Sequence, residues 1–222
     1  MWRKFRVALL LVVLVLVASN AFIDRRQSRD WTTTLWVGLH PLNADGSAVA
    51  ERYIGEIESE HYAALEDFFA SEGARYGLTI DRPVHVEFYP RPDRLPPPLV
   101  RNPGKLDALV WSLRMRWYTW RAPDGPGQPS PNVRLFVLFH DPEVSPSLPH
   151  SVGLTSGLMG VIHAFASHAQ HGSNEFIIAH ELLHTVGAND RYDLATNQPL
   201  FPEGYAEPDL DPLLPQRKAE IM

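Results

Sequence analysis

The eleven residues from His180 to Asp190, HELLHTVGAND, combine side chains at spacings that can do chemistry. On a helix, positions four apart lie on the same face, one turn apart. His180 and His184 can therefore present two imidazole nitrogens to one ion. Glu181 follows the first of them and projects beside that ion, where it can hold and deprotonate a metal-bound water. Gly187 permits the left-handed conformation that ends a helix abruptly. The chain can then turn back and offer Asp190 as a third ligand. Three protein ligands leave one position for water, the arrangement of a catalytic site and not a structural one. The chain has no cysteine, which excludes disulfides, thiolate nucleophiles and Cys-based metal sites. Any transition-metal site must come from its 10 histidines and its carboxylates.

A bare HExxH arises by chance in roughly 3 of 100 chains of this composition, but with Gly and Asp at the observed spacing in only about 1 in 10,000. The longer pattern therefore carries the argument. The bland alternative, two histidines and a glutamate unpaired on a buried helix, is costly. Around this core stand weaker candidates. Asp190, Asp193 and Asn197 can hold a calcium ion, Ca2+, or simply form a solvated turn. Tyr192 or Tyr205 can donate to an oxyanion or merely pack. His168 and His171 read as a surface loop.

The elements that must position these residues alternate between strand and helix, an α/β pattern. Thr32 to Leu39 reads as a strand, with a turn at Asn43 to Gly46. One long helix is expected over Ala48 to Ala74, with Ile54, Ile57, His61, Leu65 and Phe68 as its apolar stripe and His61 a core histidine. A strand follows over Val84 to Tyr89. Pro90 to Pro103 contains six prolines and must be a loop. Leu106 to Tyr118 reads as a helix with Leu109, Leu113 and Trp117 on one side and Arg114, Arg116 and Arg121 on a solvated face. Val133 to Phe139 is nearly all apolar, as for a strand covered on both faces. Gly157 to Ala166 reads as a further strand whose glycines suggest an edge or a bulge. The active helix is expected to start at Ser173 or Asn174, either a good N-cap.

The N-terminus is an address. Arg3, Lys4 and Arg6 precede the unbroken apolar run Val7 to Ala18, the layout of a secretory signal. Ser19-Asn20-Ala21 offers a small-residue cleavage site. Counting through Ile23, residues 7–23 also reach the lower limit of a spanning helix, so a signal peptide and a signal anchor over residues 1–24 both stand. Either places the body outside the cytoplasm, membrane-anchored in one case and secreted or periplasmic in the other. The formal net charge of -6 excludes a nucleic-acid partner, which needs a basic face. With 45% hydrophobic residues the body can build a real core, and nothing divides it into two domains.

HELLHTVGAND resembles the metzincin zinc-peptidase signature HExxHxxGxxH/D, in the Asp variant of the snapalysin-type group. Glu220-Ile221-Met222 is similar to the methionine turn of that family. The resemblance implies that residues 31–222 form a zincin-like α/β (α+β) domain. Its twisted mixed sheet would carry a backing helix and an active-site helix, preceded by an N-terminal hydrophobic helix. It implies that His180, His184 and Asp190 bind one Zn2+, that Glu181 is general base and acid, and that Met222 floors the site. It also implies that Gly160, Val161, Ile162 and His163 belong to the edge strand that pairs with an extended peptide or protein substrate. Relatives continue past this turn, so either residues 191–221 build the pocket wall or the chain extends beyond Met222. Glu203 or Glu207 as third ligand would make the site gluzincin-like instead. Two functional classes remain open: a zinc endopeptidase, and a non-catalytic peptide-binding or structural protein that keeps a zinc site.

Overall fold

The computed structural model describes residues 30–99, 104–155, 157–193, 195–205, 207–216 and 221, with isolated positions between 2 and 15. Apart from those positions, the expected signal or anchor segment lies outside the described residues, as does Met222. Among the described residues no helix is long and apolar enough to cross a membrane.

The chain folds as a mixed α/β structure around one five-stranded sheet, in the order β2-β1-β3-β5-β4. The strands are β1 (Leu35–Asn43), β2 (Val84–Phe88), β3 (Val133–His140), β4 (Val152–Leu154) and β5 (Met159–Phe165). The first three and β5 run parallel, and β4 closes the sheet antiparallel to β5. Residues of alternate parity along β1, β3 and β5 face opposite sides, as the pleat requires. Leu35, Val37, Leu135, Val137 and Ile162 point into one apolar cluster, and Phe136, Leu138, Met159 and Val161 into another. The first cluster is covered by α1 (Ala48–Glu56), α2 (Ala63–Arg75) and α4 (His171–Val186), the second by α3 (Lys105–Trp120). This two-sided cover explains why β3 is apolar along nearly its whole length.

The first strand runs later than its composition suggests and contains Pro41. Leu35 N donates to Pro83 O and Tyr89 N donates to Leu39 O, so the odd residues of β1 bond toward β2. β2 ends at Phe88, so Pro41 meets no strand on that side and its missing N–H breaks no ladder bond.

The long helix expected over Ala48 to Ala74 is two helices. Ser47 caps α1 through Ala50 N. Ile57 is extended, and a 3-10 turn at Ser59–Tyr62 precedes α2. His61 is exposed and not part of the core: its Nδ1 accepts from Glu58 N at 2.8 Å, capping that turn. Its place in the stripe goes to Tyr62, which is buried against the sheet.

In α3, Leu109, Leu113 and Trp117 do share a side, but that side faces solvent. The buried side is Trp111 and Met115, held by Trp111 Nε1 donating to Pro97 O at 3.0 Å.

Candidate metal centre

The helix that carries the motif begins three residues earlier than expected. Its N-cap is Gln170, and His171 opens the first turn. Asn174 is buried inside the helix, where its amide accepts from Phe165 N and donates to Phe165 O at 3.0 and 2.9 Å. A side-chain amide thus stands in for a strand partner and pins the end of β5 to α4. Asn174, Ile178, Glu181, Leu182 and Thr185 face inward at helical spacing, with Ile178 and Leu182 fully buried. That registry leaves His180 and His184 on the flank of the helix, partly exposed and one turn apart. The helix stops at Gly187, in the left-handed region at φ 100°, with its N–H returning to Leu183 O and His184 O. The reversal brings Asp190 back to the two histidines.

The three side chains converge. His180 Nε2 lies 3.1 Å from His184 Nε2, and Asp190 Oδ1 lies 3.4 and 3.3 Å from them. The ring tautomers follow from what the other nitrogens meet. His180 Nδ1 faces Ile221 O at 2.5 Å, and His184 Nδ1 faces Ala188 O at 3.1 Å. A carbonyl only accepts, so each Nδ1 carries the proton and each Nε2 presents a lone pair. The 3.1 Å approach of the two Nε2 atoms is therefore not a hydrogen bond between neutral rings. Asp190 Oδ1 is buried and has no donor among the described residues. With both rings neutral, three acceptor atoms point at one place with no proton between them, which is unfavourable unless a cation sits there. Separations of 3.1 to 3.4 Å are short enough for the three atoms to share one ion. His180, His184 and Asp190 can hold a metal ion, and they are the one such group among the described residues.

Glu181 lies beside this triangle without joining it. Its carboxylate accepts the N–H of Gly153, while Oε2 is buried with no partner among the described residues. Burial pushes its pKa above the usual carboxylate range, opposed by His180, His184 and the Gly153 N–H. Tyr192 donates its hydroxyl to Asp190, and its ring lies 6.5 Å from that of His180. Burial is the largest cause of its raised pKa, with the Asp190 charge second.

The outer strand beside the helix is β4, not the strand expected. Gly160, Val161, Ile162 and His163 lie on β5, which pairs with β3 and with β4 and is therefore interior. His163 points to the α3 face, where its Nδ1 meets His140 Nε2 at 2.8 Å, away from α4. β4 runs against α4 instead. Thr155 Oγ1 donates to His184 O at 3.0 Å, satisfying one of the carbonyls a helix end leaves over.

Glu203 pairs with Arg191, and Glu207 is exposed, so neither joins the histidines. Asp193 accepts from Ala195 N, Thr196 N and Thr196 Oγ1, so its carboxylate is used within its own turn. Tyr205 packs on Phe201. His168 meets Glu56, and His171 donates to His61 O. Sequence reasoning missed Gly153, Thr155 and the Ile221 carbonyl. A glycine in a short apolar triplet, VGL, was the one available sign of a close backbone approach. Compared with models of known protein families and with curated proteins, the chain matches none.

Proposed function

We propose that the chain is a zinc-dependent endopeptidase of metzincin-like design, with its catalytic domain outside the cytoplasm. The single observation that carries this reading is the convergence of two Nε2 atoms and a donor-less Asp190 oxygen beside a buried, unshared Glu181 oxygen. Zinc fits the donor set of two imidazoles and one carboxylate. When bound, it supplies Lewis acidity that makes water more acidic and polarises the scissile carbonyl. The chain's residues do the rest. Glu181, fixed by the Gly153 N–H, takes a proton from the attacking water and hands it to the departing amine. Tyr192 orients the Asp190 carboxylate. An extended peptide adds to the outer edge of β4, which brings its backbone alongside Glu181 through Gly153. The Ile221 carbonyl beneath His180 agrees with a methionine turn at Glu220-Ile221-Met222. The N-terminal apolar run supports placement outside the cytoplasm.

The test is metal content and cleavage of an unfolded protein by the full chain, wild type against Glu181→Gln. About one zinc per chain and chelator-sensitive cleavage are expected. Glu181→Gln keeps the metal and loses roughly 10²–10⁴-fold in rate. Zinc without turnover in the wild type would point to the binding-protein reading instead, and full activity in Glu181→Gln would remove the mechanism.

A further inference from the structure

One helix of this fold has two apolar faces. The inward one, Trp111 and Met115, packs on Phe136, Leu138 and Met159, and Tyr118 OH donates to Arg94 O beside it. The outward one is Leu106, Leu109, Val110, Leu113, Trp117 and Trp120. At 3.6 residues per turn these six fall within an arc of about 100°, a single continuous stripe along α3. All are exposed, from 46% for Val110 to 76% for Leu106, and Trp120 is at 74%. The inward face already anchors the helix, so the stripe is a second, separate surface.

Its borders are cationic. On the helical wheel Arg114 and Arg121 flank the stripe on one side and Lys105 and Arg116 on the other. The one acid of the helix, Asp107, is committed to capping Gly104 N at 3.0 Å. This positive strip stands out on a chain of net charge -6. A second copy laid face to face would set cation against cation. The chemistry that matches a leucine and tryptophan stripe between rows of Arg and Lys is an anionic bilayer surface, with tryptophans at headgroup depth and the long cations reaching the phosphates. The same chain carries the apolar run Val7 to Ala18 behind three basic residues, and stable membrane attachment commonly combines two such signals.

We propose that α3 is a membrane-docking helix. Its outward stripe lies in the headgroup boundary of an anionic bilayer, and Lys105, Arg114, Arg116 and Arg121 rest on lipid phosphates. Because α3 covers the sheet face opposite α4, this docking leaves His180, His184 and Asp190 turned away from the lipid. The proposal does not depend on the metal centre being catalytic.

The cysteine-free chain allows a direct test. Leu113→Cys and, as a control on the other sheet face, exposed Ala64→Cys are each labelled with an environment-sensitive fluorophore in the full chain. Each is mixed with vesicles of phosphatidylcholine and phosphatidylglycerol carrying brominated acyl chains. The label at 113 is expected to shift to the blue and to be quenched several-fold more than the label at 64. Combining Arg114→Glu, Arg116→Glu and Arg121→Glu, or raising the salt, should reverse most of that. A label at 113 as water-exposed as the one at 64 overturns the proposal. Shielding through self-association without lipid, or shielding untouched by the charge reversal, overturns it as well. Quenching of the native tryptophans of the unlabelled chain checks the same prediction without any substitution.

Discussion

Because the carbonyls of Ile221 and Ala188 each take the proton of a ring Nδ1, His180 and His184 are set as ligands before any ion arrives. Asp190 would supply the charge that compensates a bound divalent cation, and Tyr192 would orient that carboxylate through its hydroxyl. The two residues should therefore differ in degree. Asp190→Asn keeps the shape but loses the charge, and metal affinity is expected to fall by about 100-fold or more. Tyr192→Phe removes only the outer hydrogen bond and should cost about 10-fold. Competition against a chromogenic chelator measures both, and equal effects would mean that Tyr192 does more than orient. Little of this pair was open to sequence reasoning. Asp190 was legible because Gly187 fixes where the helix must stop. Tyr192 was one of two tyrosines in the downstream loop, with nothing in their spacing to separate them.

At the scale of elements, the closest fit is between β4 and α4. A Cβ at Gly153 would stand 2.2 Å from Glu181 O and 2.9 Å from His184 Cβ. The first of these is helix backbone and cannot yield, so the strand would have to lift away. Gly153→Ala is expected to cost about 1–3 kcal/mol in urea unfolding. Under the proposed function, peptide cleavage should fall with it, since the Gly153 N–H that fixes Glu181 moves away. An alanine variant unchanged in both would show that the two elements are not coupled. The glycine facing it across the ladder, Gly160, explains the misread edge. A Cβ there would meet Val152 O at 3.1 Å and Leu135 Cδ2 at 3.0 Å. Glycine at this position marks backbone packed close on an interior strand, yet in sequence it reads as an edge or a bulge. β4 itself is three residues long, too short for a period-2 pattern to show. The helix α4 was legible for the opposite reason, having sixteen residues with a consistent inward spacing and a glycine stop.

For the molecule as a whole, the two-layer cover of the sheet decides what acid does to it. The nearly unbroken apolar run Val133 to Phe139 announced a sheet covered on both faces, but α3, apolar on both sides, hid which of its faces is inward. On the α3 side of the sheet lie three histidines in poor surroundings for charge, His40, His140 and His163, and burial lowers the pKa of each. His40 is fully buried, its ring stacked 5.0 Å from Phe136, with Nδ1 donating to Pro90 O at 2.7 Å and Nε2 facing Arg134. Burial pushes its pKa down to about 4, and His163, also mainly through burial, to about 4. In the unfolded chain both return to near 6.5. Between about pH 6.5 and 4 the unfolded chain therefore binds protons that the native state refuses, so stability falls as the pH falls. The contribution is whole above about 6.5 and is spent near 4. For His40 alone, a fall from 6.5 to about 4 corresponds to on the order of 3 kcal/mol. Urea unfolding at neutral pH and near pH 4 should show this loss, and His40→Gln, which keeps a donor but cannot be protonated, should make it shallower. An equally steep loss in that variant would place the acid sensitivity elsewhere in the protein.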